Sequence, residues 1–121
     1  MSYKIEKGKN GESYVADYLK KYGYTILYQN YRTMTGEVDI IAKKGDTVAF
    51  VEVKLRKNPL IDPAEVINWS KQKKIISVAK QFLSKHTNYQ DIICRFDVAL
   101  IEECNDGLRL RYIAHAFSAF E

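Results

Sequence analysis

Cysteine, proline and long apolar runs are all scarce in this chain. Only two cysteines occur, Cys94 and Cys104, and they form neither a CxxC pattern nor any metal-ligand spacing. The expectation is two reduced thiols, in the core or at strand ends, in a reducing compartment. No stretch approaches the roughly 20 apolar residues of a membrane-spanning helix, and the opening MSYKIEKGKNGESYV holds no apolar run suited to export. These absences imply a cytoplasmic location and no membrane partner. No repeat, low-complexity tract or composition shift divides the chain, so residues 1–121 read as one domain.

What is present suits a packed core. Hydrophobic residues make up 46% and charged residues 28%, which places the chain among globular domains rather than disordered ones. Lys and Arg exceed Asp and Glu by 19 to 15, for a formal net charge of +4. That excess suits a polyanionic partner but is too mild to identify one. The nine tyrosines, several beside basic residues, read first as packing and second as surfaces on which bases stack.

Periodicity gives the elements. Val15, Tyr18, Leu19 and Tyr22 recur at helical spacing and predict a helix over about 3–22, ended by Gly23. Residues 24–32 are β-rich, 33–36 supply a turn, and two strands follow at about 37–44 and 47–54 around Gly45-Asp46. Asp62-Pro63-Ala64-Glu65 combines a cap, a first-position proline and a capping-box acid, predicting a helix from there to about Lys85. Ile75, Ile76, Ala79, Phe82 and Leu83 give that helix its apolar stripe. Strands at 94–101 and 108–113 close the chain around Asn105-Asp106-Gly107. The order is helix, three-strand meander, helix, two strands, an α/β arrangement with a mixed sheet flanked by helices.

Charges concentrate where apolar residues are expected. If Lys44 faces Thr47 across the Gly45-Asp46 turn, Asp39 lies opposite Glu52 and Glu37 opposite Lys54. Directly opposed side chains have Cβ atoms about 4.5–5.5 Å apart. Alternation puts Glu52 and Lys54 on the face of Val48 and Phe50, turned inward. Two carboxylates so placed repel, and burial strengthens the repulsion. A shared proton, Lys54 as counter-ion, or a divalent cation would each relieve it. Mg²⁺, with Mn²⁺ as substitute, accepts one or two carboxylates together with water and phosphate oxygens, which suits phosphodiester hydrolysis. Asp39 and Glu52 are then the candidate metal ligands, and Lys54 the residue that stabilises charge in the transition state.

Glu12 falls on the burying face of the first helix, three, four and seven residues from Val15, Ala16 and Leu19, where it is a candidate third ligand or general base. Lys71 continues the buried stripe of the second helix, with Gln72 beside it, and both are candidate phosphate contacts together with Arg56. Ordinary roles are available to each residue: an ion pair between Glu37 and Lys54, Glu12 at a helix rim, Lys71 reaching past the core into water. His86 and His115 read as surface or packing residues, and Asp97 as bridged to Arg95 or Arg56.

A helix acid, a strand acid, then Glu-x-Lys on the next strand resembles the PD-(D/E)XK nuclease superfamily. More closely, GE at 11–12, NYRTMTGEVDIIAKKGDTVAFVEVKLR at 30–56, Lys71, RFDV at 95–98 and AF at 116–117 look like the YraN family of predicted endonucleases. The resemblance implies a restriction endonuclease-like fold, also similar to that of archaeal Holliday-junction resolvases, a divalent-metal site and a DNA substrate, branched or structured forms included. It makes Asp39 and Glu52 metal ligands, Lys54 the catalytic lysine and Glu12 the helix acid. Val38 replaces the superfamily's proline, and no DNA-reading insertion accompanies the core. Resolving a two-fold junction would need a homodimer. The alternative is a nucleic-acid-binding or adaptor protein that keeps the fold without catalysis.

Overall fold

The computed structural model describes residues 2–5, 11–56, 67–86, 91–105 and 107–119. The elements run β1 (Ser2–Ile5), α1 (Gly11–Lys21), β2 (Thr25–Arg32), β3 (Glu37–Lys44), β4 (Thr47–Arg56), α2 (Trp69–Lys85), β5 (Ile93–Cys104) and β6 (Gly107–Phe117). They build a six-stranded sheet in the order β1-β6-β5-β4-β3-β2. Only the β4–β5 pairing is parallel, so the sheet is mixed as expected, and the crossover that parallel strands require carries α2. This α/β arrangement is compatible with a restriction endonuclease-like fold. No helix among the described residues is long and apolar enough to cross a membrane.

Two expectations need correction. Residues 2–5 form a strand and not the start of a helix, with Tyr3 paired to Leu110 and Ile5 to Leu108. Four residues are too few for alternation to show, and the partner strand lies at the far end of the chain. The second helix starts at Trp69: Asn68 is its cap, in extended geometry (φ −72°, ψ 168°), and its side chain accepts the Lys71 N–H at 2.8 Å. A single helix over 62–85 is therefore excluded, although residues 62–66 themselves lie outside the described ones.

The sheet separates two cores. Val15, Ala16 and Leu19 of α1 pack on Ile40, Ala42, Ala49, Val51 and Ala99. On the opposite face Ile75, Val78, Ala79 and Phe82 of α2 cover Ile41, Val48, Phe50, Phe96 and Val98. Strand alternation explains the division except at one point. Val38 and Ile41 pack in the same α2-side core although three positions apart, so the alternation breaks between them, around Asp39. α1 ends as its sequence predicts, with Gly23 in the left-handed region (φ 91°) donating to the Lys20 carbonyl.

Candidate active site

The hairpin register follows from its turn. Gly45 adopts φ 58°, and Lys44 pairs with Thr47, Lys43 with Val48, and so on to Ile40 with Val51. Continued one step, that register would set Asp39 opposite Glu52, but the ladder ends at Ile40 and Val51. There the ladder gives way to a side chain. Asp39 Oδ2 accepts the backbone N–H of Val53 at 2.8 Å, which sets the carboxylate in the opening between β3 and β4. Asp39 is 9% exposed and Glu52 7%, so both acids are sheltered from water.

Glu52 carries the electrostatic burden of the pair. Burial first, then a hydrogen bond with Asp39 and its charge, push the Glu52 carboxyl up to about 8, while Lys71 pulls it down. Without a cation Glu52 therefore holds its proton more firmly than an ordinary carboxyl. Lys71 Nζ lies 3.4 Å from Glu52 Oε2, at ion-pair distance. The same oxygen is buried and makes no hydrogen bond, an unusual condition for a charged-type atom. Lys71 thus reaches the acids from α2, as its place on the helical stripe predicts. It also supplies the counter-charge that the sequence reading gave to Lys54.

Lys54 is exposed, which corrects its inward assignment. It lies on β4 beyond the last β3–β4 pair, Ile40 with Val51, where alternation no longer implies burial. Glu37, the expected partner of Lys54, receives a 2.9 Å hydrogen bond from Arg32 Nε. Gln72 spends its side-chain amide on the Ile67 carbonyl, 2.9 Å away, and so steadies the chain entering α2. Arg56 pairs with Glu102 in the β4–β5 ladder, and its side chain lies outside the described ones.

Glu12 begins α1 on the other side of the acid pair. Partial burial and the charge of Asp39 raise its carboxyl above the usual range, and a hydrogen bond with the Asn30 side chain opposes them. Gly11 makes this approach feasible: a Cβ there would stand 2.6 Å from Ile101 Cδ1, so the first turn of α1 rests directly on β5. Nothing in the pattern of residue types singles out Asn30. Its left-handed backbone (φ 54°) inside β2 is the signal, since asparagine tolerates that region better than most residues, but only coordinates reveal it.

Other readings stand. Asp97, fully buried, accepts from Arg95, from Tyr112 Oη at 2.5 Å and from the His115 N–H at 2.9 Å; Arg95 also donates to Tyr24 Oη at 2.6 Å. It is a structural acid with every bond satisfied. His86 caps α2 and stacks on Phe82 at 4.1 Å, while His115 is exposed. Cys94 is a free, exposed thiol at the start of β5, and the Cys104 side chain lies outside the described ones.

The donor set suits a hard cation. Among the described residues no three His, Cys, Asp or Glu side chains stand together in metal-holding geometry. Two carboxylates suffice for Mg²⁺, which keeps much of its water, and the unbonded Glu52 Oε2 is the kind of atom such an ion would satisfy.

A family model described as "Uncharacterised protein family UPF0102" matches residues 11–101, the span containing Glu12, Asp39, Glu52, Lys54 and Lys71. A UPF0102 protein of Caldicellulosiruptor bescii is 41% identical over 113 residues, covering 91% of this chain and 95% of the relative. One from Alkaliphilus metalliredigens is also 41% identical over 113 residues, covering 91% and 96%. One from Treponema pallidum (strain Nichols) is 40% identical over 116 residues, covering 91% and 90%.

Proposed function

The chain belongs to the UPF0102 family, and from that premise and the geometry of its acid pair we propose a divalent-metal-dependent endonuclease of the PD-(D/E)XK type acting on DNA. The observation that carries the reading is Glu52: a buried carboxyl beside Asp39, pushed up to about 8, with one oxygen unbonded and Lys71 at 3.4 Å. Stability alone gives no reason to assemble such a group.

Asp39 and Glu52 would hold Mg²⁺ or Mn²⁺. Bound there, the cation supplies positive charge that polarises a phosphate and activates water. The Val53 N–H fixes the orientation of Asp39, so that carboxylate enters the reaction already positioned. Lys54, exposed at the end of the hairpin, is free to meet a phosphate from solvent and to offset negative charge that grows in the transition state. Lys71 limits repulsion within the acid pair and lies within reach of the same phosphate. Glu12, with its carboxyl raised and lying near Asp39, is suited to take a proton from water.

The test is cleavage of duplex, single-stranded, flap and four-way DNA with Mg²⁺ or Mn²⁺. Cutting that vanishes in Asp39→Ala and Lys54→Ala is expected; undiminished cutting in either variant would refute the assignment. Any activity on symmetric junctions calls for a two-fold dimer, checked by sedimentation. A second reading, nucleic-acid binding without hydrolysis, draws on the lack of a preformed three-donor cluster among the described residues. It predicts steeply salt-dependent binding and no turnover with any metal.

A further inference from the structure

α2 carries lysine at five of its 17 positions and neither aspartate nor glutamate. Lys71 is engaged with Glu52. Lys73 and Lys80 lie on another flank of the helix, where with Trp69, Ile76 and Ser77 they line a groove of about 300 Å³ closed by residues 118–119 after β6. Trp69 is the sole tryptophan of the chain and is 55% exposed. Lys73 Nζ stands 5.2 Å from its ring centroid.

An indole left half in water forgoes much of the burial that makes tryptophan valuable to a fold. The helix start does not depend on it, because Asn68 caps the first turn. A flat aromatic face followed by ammonium groups along the same groove matches one ligand chemistry closely. Unpaired bases stack on such faces whatever their identity, and the phosphates between them are drawn to lysine. A duplex keeps its base faces covered and offers only its phosphates.

We propose that this groove binds an unpaired nucleic-acid strand, with a base stacked on Trp69 and phosphates held by Lys73 and Lys80. Lys80 lies eleven positions after Trp69, about 16 Å at 1.5 Å per residue, the length of roughly four to five stacked nucleotides at about 3.4 Å each. Trp69 and Lys71 stand two positions apart in the first turn of α2, so the groove lies on a different flank from the Lys71–Glu52 contact but begins at the same end of the helix. The consequence for cleavage rests on the endonuclease reading: the preferred substrate is then DNA with a single-stranded arm. Binding itself does not rest on it.

The experiment is a titration of the full chain with a short oligothymidylate, and separately with a blunt duplex of equal length, in EDTA at low salt. Excitation at the red edge of the indole band, where the nine tyrosines absorb little, makes the intrinsic fluorescence report on Trp69. Expected are quenching by the single strand and little by the duplex, with affinity about tenfold lower in Trp69→Ala by anisotropy. Trp69→Phe, which keeps a stacking ring, should recover most of that loss. The double variant Lys73→Ala/Lys80→Ala should reduce the slope of log K against log salt by about 1.4, at about 0.7 per contact. Absence of quenching, unchanged affinity in Trp69→Ala, or equal quenching by duplex overturns the proposal. Parallel assays with Mg²⁺ separate the two readings. Quenching without cutting would fault the nuclease, and cutting without quenching would fault the groove.

Discussion

Asp39 Oδ2 receives the Val53 N–H at 2.8 Å, in the place that a β3 carbonyl would hold if the ladder continued past Ile40 and Val51. One carboxylate thus binds the two strands together, and in the proposed site it would also hold the cation. The two roles separate by substitution. Asp39→Ala leaves the Val53 N–H without its acceptor and should cost about 1–2 kcal/mol. Asp39→Asn keeps an acceptor oxygen and should recover about half of that. Urea denaturation in EDTA at pH 6 checks the difference, while calorimetry should show divalent-ion binding lost from both.

Proton linkage at Glu52 gives a sign that is unusual for an acid. Its carboxyl is raised from 4.5 to about 8, so between those values the folded chain holds a proton that the unfolded chain has released. The stabilising contribution is complete below about pH 4.5 and fades as pH climbs through 8. Metal-free protein should therefore lose stability from pH 5 to pH 8, by up to a few kcal/mol. Glu52→Gln should flatten that slope, and Mg²⁺ at about 100 times its Kd should restore about 2.7 kcal/mol to the wild type at pH 8.

The two lysines should part company. Lys54 is exposed, so Lys54→Met should leave stability within about 0.5 kcal/mol. Cleavage should nevertheless fall about 10²–10³-fold. Lys71→Met removes the positive neighbour of a buried acid and should destabilise metal-free protein by about 1 kcal/mol at pH 8, and less at pH 5, where Glu52 is protonated. Melting curves at both pH values distinguish them.

Asp97 offers the contrast of a buried acid whose bonds are all made within the fold. Burial and the charge of Asp97 hold the Tyr112 hydroxyl well above the usual phenol range, so it stays a donor. Tyr112→Phe should cost about 1–2 kcal/mol, and Asp97→Asn about 3 kcal/mol or more, by denaturant titration. Cleavage per folded molecule should not change in Tyr112→Phe.

The hairpin was legible because Gly45-Asp46 fixes its register locally, and from that register Asp39 and Glu52 follow by counting. Lys71 was legible because helical spacing ties it to Ile75, Val78 and Phe82. What escaped depends on contacts remote in the chain. β1 exists as a strand only against β6. Asn68 prevailed as the cap of α2 although Asp62 carries more of the usual local signals. Lys54 obeys the alternation of its strand, yet alternation cannot say where the neighbouring strand departs. The break between Val38 and Ile41, on which the pose of Asp39 turns, has no counterpart in the pattern of residue types.

The parallel pairing of β4 with β5 also orders assembly in time. Both acids belong to one tight hairpin, a unit that closes in about 1–10 μs, whereas Lys71 arrives only when the long crossover has wrapped α2 onto the sheet. A refolding chain therefore brings like charges together before their ammonium neighbour docks. Mild acid removes that early conflict by protonating the acids, so the nascent hairpin meets less resistance before Lys71 is in place.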